Sequence, residues 1–213
     1  SLRDETLPFE KRLEKLELLE RDLQQASHVV SEVQSFYKPG SYRLYELELS
    51  LVINEAISQI RRSRDEQISF RIIWEASDAI KILGHEQKLK QVFTNIFINS
   101  IEAFARQSKG ESSRLSIWII GRLVRDHLEA ELEGHAQCLL QVQLIDNAGG
   151  IDTEKLKRIF DPFFTTKKPK DSGSGIGLFL AYKILEEHQA SIEVESRGHY
   201  TRFILLFPLS EPA

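Results

Sequence analysis

Residues 85–104 read HEQKLKQVFTNIFINSIEAF. From Glu86 to Phe104 this run has the pattern of one amphipathic helix, with Leu89, Val92, Phe93, Ile96, Phe97, Ile101 and Phe104 recurring at helical spacing toward a core. Two asparagines, Asn95 and Asn99, stand four residues apart inside the apolar stripe, which sets both on one side of the helix, one turn apart. A side-chain amide in such a place must meet a hydrogen-bond partner or a ligand. The helix alone leaves two readings open, a satisfied polar pair and a ligand site.

The whole chain has 213 residues, 41% of them hydrophobic and 28% charged, an ordinary composition for a soluble globular protein with one good-sized core and room for a smaller module. A net charge of -4 gives no footprint for nucleic-acid binding. The single cysteine, Cys138, rules out an intramolecular disulfide and fits a reducing compartment. The sequence contains no apolar run of transmembrane length and no signal peptide. The expectation is a cytoplasmic chain without direct membrane contact, with a membrane anchor elsewhere in a longer parent protein left open.

Upstream of the helix, Phe9–Tyr37 has no glycine or proline and is rich in Leu, Glu, Lys, Arg and Gln, all good helix formers. Leu16, Leu19, Leu23, Ala26, Val30, Val33 and Tyr37 alternate spacings of three and four, a heptad seam that a lone helix cannot bury. A partner helix, from the same parent chain or a second subunit, or packing on its own domain would cover it. Lys38-Pro39-Gly40-Ser41 then breaks the helix and marks a boundary, which divides the chain into 1–39 and 40–213.

Beyond the boundary the pattern predicts a short strand over 43–49, a helix over Ser50–Arg62, a strand over Ile68–Trp74 and a short strand near Ile80–Leu83. After the long helix come a polar loop, Gln107 to Ser113, and strands over Arg114–Val124 and Cys138–Ile145, with the charged loop 125–137 between them. A short helix near Thr153–Ile159, a loop to about Gly175, a helix over Gly177–Gln189 and closing strands over Ser191–Ser196 and Arg202–Phe207 complete the chain. This order predicts an α+β, two-layer α/β sandwich with helices on one face of a mixed, mainly antiparallel sheet.

Three further segments bear chemistry. In Asp146-Asn147-Ala148-Gly149-Gly150-Ile151 an apolar strand, LLQVQLI, runs straight into an aspartate and two glycines. A buried aspartate can accept from an amino group such as adenine N6, and glycines let a ligand approach the backbone. A plain turn has the same composition. Gly173-Ser174-Gly175-Ile176-Gly177-Leu178 opens a helix, where exposed N–H groups and the helix terminus form a phosphate cradle, or merely a flexible entry. It lacks the Lys-Ser/Thr pair of a Walker loop and does not follow a strand directly, as a dinucleotide fingerprint does. Phe160-Asp161-Pro162-Phe163-Phe164-Thr165-Thr166-Lys167-Lys168 suggests a flap anchored by phenylalanines with cations toward phosphates, or a surface loop. The six histidines are scattered, and no Cys/His metal spacing or Ser-His-Asp pattern is present.

Together and in this order, the segments resemble the ATP-binding domain of sensor histidine kinases, part of a wider family with DNA gyrase, a heat-shock chaperone and a mismatch-repair ATPase. QVFTNIFINSIEA is similar to the family's N box, DNAGGI to its first glycine box, IFDPFFTTK to its F box and GSGIGL to its second glycine box. Gly198-His199-Tyr200-Thr201 resembles a weak final box. The likeness spans about 40–208, and FFTTK points to the kinases.

The resemblance implies the Bergerat ATP-binding fold and particular roles. Asn99, helped by Asn95, would hold Mg²⁺ bridging the phosphates of ATP. Asp146 would bind the adenine amino group, with Gly150 allowing close approach to the ring. Gly173, Gly175 and Gly177 would wrap the phosphates, together with Ser174, Ile176 and Leu178. Ile151 and Thr201 would line the pocket. Phe163, Thr166 and Lys167 belong to the lid, with Lys167 as its cation. Chemistry would be phosphoryl transfer from ATP to a histidine, by positioning and charge stabilisation, for relay to a response regulator.

Residues 9–38 resemble the second helix of the kinases' dimerisation and phosphoacceptor hairpin, which implies a homodimer through a four-helix bundle. The sequence departs from the pattern here. The acceptor histidine of the family sits on the first helix beside an acidic residue, and no such motif occurs here; His28 lies between Ser27 and Val29 on the second helix. Further departures are Ala148 for a usual glycine, Ser100 for a usual alanine, and the long 125–137 loop. A non-catalytic regulator that heterodimerises through 9–38, and a protein-serine kinase of the same fold, are the competing readings.

Overall fold

The computed structural model describes residues 11–13, 15–16, 19–20, 23, 43–63, 68–77, 80–107, 114–125, 138–166 and 174–210. The chain divides into two compact units, residues 1–41 with 163–176, and residues 42–162 with 177–213.

The second unit is built on a five-stranded sheet. Its strands are β2 (Ile68–Trp74), β4 (Leu115–Arg125), β5 (Cys138–Asp146), β6 (Ser191–Arg197) and β7 (Tyr200–Pro208), in the order β2-β4-β5-β7-β6. Only β2 and β4 pair in parallel; the other three pairings are antiparallel. The parallel pair needs a crossover, and α2 (Glu86–Gln107) lies within it. Two more strands, β1 (Tyr45–Leu47) and β3 (Ile82–Gly84), form a separate antiparallel pair. The remaining helices are α1 (Leu49–Ser63), the single turn α3 (Thr153–Leu156) and α4 (Gly177–Glu187).

Alternation along the strands decides which face is covered. Leu115, Ile117 and Ile119 of β4, Leu140, Val142 and Leu144 of β5, and Phe203, Leu205 and Phe207 of β7 are all buried. The helices meet that face with stripes at helical spacing: Val52, Ile53, Ala56, Ile57 and Ile60 on α1; Leu89, Val92, Phe93, Ile96 and Phe97 on α2; Leu180, Ala181, Ile184 and Leu185 on α4. Phe70 of β2 meets Phe97 of α2 edge to face, with centroids 5.3 Å apart. The opposite face is more polar, carrying Gln141, Gln143 and the Arg202–Glu195 ion pair, with Trp118 against Tyr200.

The expected α+β two-layer arrangement is therefore the one observed. The two short strands before α2 pair with each other rather than with the main sheet, Tyr45–Leu47 meeting its partner across the whole of α1 and β2. Helix α2 also runs three residues past Phe104, and β7 starts at Tyr200 rather than Arg202. In the first unit, the described residues among 11–23 are helical, and Leu13, Leu16, Leu19 and Leu23 are exposed. The remaining seam positions, the breaker 38–41 and the loop 126–137 lie outside the described residues.

Candidate functional site

The alternation that buries Leu140, Val142 and Leu144 carries one residue further to Asp146, the last of β5, on the same helix-facing side. Its neighbour across the ladder, Thr201 of β7, is buried with it. Asp146 is 4% exposed, and both its oxygens are engaged. The Ser100 hydroxyl donates to Oδ2 at 2.7 Å and the Ala148 N–H donates to Oδ1 at 2.9 Å. Burial pushes the carboxyl above its ordinary value, and the hydrogen bonds from Ser100 and Ala148 act the other way.

The Ser100 bond does more than satisfy a carboxylate. Ser100 follows Asn99 on α2, so the bond fixes the turn of the helix that carries Asn99 over the end of β5. One turn earlier, Asn95 Nδ2 donates to the carbonyl of Gly177, the first residue of α4, at 2.9 Å. Segments 46 and 82 residues apart in sequence are thus joined through α2. The two asparagines of the opening stretch are not equivalent: the amide nitrogen of Asn95 is a strut to α4, and its Oδ1 is the atom left for other work. Thr94, beside it, is buried with its hydroxyl unpartnered among the described residues.

The loop after Asp146 is braced from two sides. The Asn147 side chain continues the ladder toward β4, accepting from the Ser116 N–H at 2.8 Å and donating to the Arg114 carbonyl at 3.2 Å. On the other side, the Gly149 N–H donates to the His199 carbonyl at 2.9 Å, and the Ile151 N–H donates to Ser196 Oγ at 2.8 Å. Ser196 in turn donates to the Tyr200 carbonyl. Gly150 sits at φ +74, and a Cβ there would lie 2.2 Å from the carbonyl oxygen of Gly198. The β6–β7 turn thus supplies a reason for glycine at 150 that the sequence did not show.

From Phe163 onward the flap residues fall in the other unit and are described there, whereas Phe160, Asp161 and Pro162 belong to the unit with the sheet. Gly175 adopts φ +66, and a Cβ on it would lie 2.6 Å from the carbonyl carbon of Phe163 and 2.7 Å from the Phe164 oxygen. Ser174 Oγ accepts from the Ile176 N–H at 3.3 Å. The phenylalanines of the flap differ in their surroundings, and Phe164 is half-buried. Phe160 packs on Tyr182 of α4, with centroids 5.7 Å apart, but Phe163 is 66% exposed at φ +64. Thr166 is exposed, and Lys167 and Gly173 lie outside the described residues.

Asn95, Asn99, Asp146, Gly150, Ile151, Gly177, Leu178 and Thr201 therefore all belong to the unit that holds the sheet. Sequence reading missed Ser100 and Ser196 as structural partners of the site. Ser100 was visible only as an unusual residue next to Asn99, and Ser196 gave no signal at all, since its role depends on a turn that folds back from a later hairpin.

The family model described as histidine kinase-, DNA gyrase B-, and HSP90-like ATPase matches residues 84–211, a span running from the end of β3 to beyond β7. The chain belongs to that ATPase family. Within the family it is similar to the signal transduction histidine-protein kinase AtoS of Escherichia coli K12, with 27% identity over 199 residues that cover 92% of this chain and 29% of that protein. It is similar also to the sensor histidine kinase ZraS of Salmonella typhimurium, with 29% identity over 198 residues that cover 91% of this chain and 37% of that one. The chain thus spans only about a third of the length of these curated relatives. Among solved structures, the catalytic domain of histidine kinase ThkA superposes with a TM-score of 0.59 at 27% identity, covering 78% of this chain and 96% of that domain. An ATPase-family domain with a Bergerat fold, whose relatives carry the names of sensor kinases, is what the N box, glycine boxes and F box led the sequence to resemble.

The family also implies a divalent cation. Among the described residues no group of three His, Cys, Asp or Glu side chains comes together. Mg²⁺ does not need one, because it takes oxygen ligands and keeps most of its coordination for water and phosphate. An amide oxygen on the exposed side of α2 fits that demand, and Asn99, half-buried beside Ser100, offers one.

Proposed function

We propose that this chain is the ATP-binding catalytic part of a two-component sensor histidine kinase. The whole protein would transfer the γ-phosphoryl group of ATP to a histidine outside the sequence described, for relay to a response regulator. The observation that carries the reading is the Ser100–Asp146 hydrogen bond. It sets the helix turn of Asn99 against a buried carboxylate at a strand end, as a pocket that reads a base and holds phosphates requires.

In this reading Asp146 accepts from the adenine amino group, with Thr201, Gly150 and Ile151 around the base. Asn99 supplies an oxygen to Mg²⁺, and Oδ1 of Asn95 is a second donor. When bound, the cation neutralises charge on the β- and γ-phosphates. The N-terminus of α4, with Gly177 and Leu178, points N–H groups at the phosphates. The three atoms nearest a Cβ at Gly177 would belong to Asn95, at 3.8 Å or more, so close approach of a ligand is the better reason for glycine there. Gly173, Ser174, Gly175 and Ile176 would wrap the phosphates with Gly177 and Leu178, and Phe163, Thr166 and Lys167 would belong to the lid, with Lys167 its cation. Residues 1–39 act as a dimerisation helix and 40–213 as the nucleotide domain. The domain would sit in the cytoplasm, and no helix among the described residues is long and apolar enough to cross a membrane.

Titration of the chain with ATP, with and without Mg²⁺, tests the assignment. Asn99→Ala is expected to abolish the Mg²⁺-dependent part of the affinity while its cooperative melting stays close to that of the parent. Equal Mg²⁺-dependent affinity in both would remove Asn99 from the site, and no ATP affinity in the parent at millimolar concentration would favour a non-catalytic regulator.

A further inference from the structure

We propose that Ser100 is a positioning residue that holds Asp146 as a pure acceptor and so sets the pocket's preference for a 6-amino over a 6-oxo purine. This rests on the reading of Asp146 as the base-binding carboxylate.

A carboxylate offers about four lone-pair sites on two oxygens and no donor while it is ionised. Here one site on each oxygen is taken, by the Ser100 hydroxyl on Oδ2 and by the Ala148 N–H on Oδ1. The group is thus held at both ends, and its remaining sites can only accept. An amino group at purine position 6 donates to such a site. A carbonyl in the same place presents lone pairs to lone pairs and is rejected, because leaving a buried polar group unpaired is costly.

That selection fails if Asp146 gains a proton, since a carboxylic acid can donate to a 6-oxo group. Burial drives it that way: Asp146 is 4% exposed and Ser100 is 5% exposed. Burial raises the carboxyl's affinity for a proton, and the bonds from Ser100 and Ala148 oppose it. The ionisable groups that the surrounding elements carry include Glu86, Lys88, Lys90, Glu102 and Arg106 on α2, Arg114, Arg122 and Arg125 before and along β4, Cys138 on β5, and His199, Tyr200 and Arg202 about the start of β7. None of these charges is among the causes of the shift. Of the two donors that keep the acid ionised, the backbone N–H of Ala148 is invariant to substitution, so Ser100 is the adjustable one. Its hydroxyl also has a second acceptor in reach, the Ile96 carbonyl at 3.3 Å on its own helix. The hydrogen can therefore leave Asp146 without being stranded, and the hydroxyl is able to follow the protonation of its partner.

The test is calorimetric titration of the chain with Mg·ATP and Mg·GTP between about pH 5.5 and 8, on the parent, Ser100→Ala and Asp146→Asn. Ser100→Ala is expected to lower ATP affinity by about tenfold at the alkaline end, as for loss of a hydrogen bond to a charged group. It should also move the acid loss of ATP affinity to higher pH and narrow the ATP/GTP ratio as pH falls. A merely structural serine would weaken both nucleotides in parallel at every pH, and that outcome overturns the proposal. So does a Ser100→Ala profile that superimposes on the parent's while Asp146→Asn destroys discrimination. If Asp146→Asn itself leaves affinity and discrimination unchanged, the reading of Asp146 is what fails.

Discussion

His188 shows how much one buried ring can fix. It is 3% exposed, at the C-terminal end of α4. Its Nδ1 lies 2.6 Å from the Ile184 carbonyl, and its Nε2 accepts the His85 N–H at 2.9 Å. A carbonyl can only accept, so Nδ1 carries the hydrogen and the ring is neutral. The ring thus ties the end of α4 to the residue that leads into α2. Protonation would set N–H against N–H. Burial is the main cause that holds its pKa below the ordinary 6.5; His85 and Lys88 push the same way, while the Ile184 carbonyl and Glu187 oppose it. Above about pH 6.5 the unfolded histidine is neutral too, and the arrangement contributes its full stability. As pH falls below that value the unfolded chain binds a proton that the folded chain resists, so stability drops by up to about 1.4 kcal/mol per pH unit until the folded pKa is reached. Urea midpoints measured from pH 7.5 to 5 should show this slope in the parent and a shallower one in His188→Gln, whose side chain does not titrate. Parallel slopes would mean that His188 does not carry the effect. Asp146 contributes with the opposite sense: its raised pKa makes the ionised site less stable as pH climbs through the range between the ordinary and the folded value.

At the scale of elements, α2 is the part that the sequence revealed best and also the part whose meaning changed most. Its apolar spacing was readable because burial on one face leaves a period in the sequence. The candidate site residues Asn95, Asn99 and Asp146 were readable for a similar reason, being polar exceptions in apolar runs. What could not be read was the division of labour between the asparagines, since Gly177 lies 82 residues from Asn95 and nothing local announces the contact. The same holds for the β6–β7 turn against Gly150 and for the β1–β3 pair, all of them meetings between distant segments. The strut reading of Asn95 separates from a metal-ligand reading in one substitution. Asn95→Asp keeps an oxygen at either position of the amide but removes the donor to the Gly177 carbonyl. A strut predicts that it destabilises the fold by about 1 kcal/mol or more, since an acceptor now faces an acceptor. A pure ligand role predicts unchanged melting and Mg²⁺-dependent ATP affinity that is kept or strengthened by the added charge. Melting curves together with ATP titrations discriminate between the two.

At the scale of the whole molecule, the unit with the sheet closes its own core: helix stripes and inward-facing strand residues are buried on each other. The N-terminal segment does not behave in the same way. Leu13, Leu16, Leu19 and Leu23 are 50%, 50%, 39% and 69% exposed. Leu16, Leu19 and Leu23 are three consecutive positions of the heptad seam, and an exposed seam on a helix is stabilised mainly by a partner that covers it. The sandwich fold was legible because its partners are all within the sequence; the oligomeric state was not, because the seam fits a second copy and a different helix equally well. A second copy of this chain is the simplest partner, and the seam is then expected to drive a concentration-dependent dimer. Light scattering over a dilution series should show the parent shifting from dimer to monomer. Leu16→Glu with Leu23→Glu should give a monomer throughout, because two buried charges per helix would oppose each other across the seam. ATP affinity in that variant should equal the parent's, since neither leucine lies in the nucleotide unit. A parent that is monomeric at every concentration would assign the seam to a helix of another chain or to another part of the parent protein. A variant that also loses ATP affinity would show that the helix supports the nucleotide unit directly.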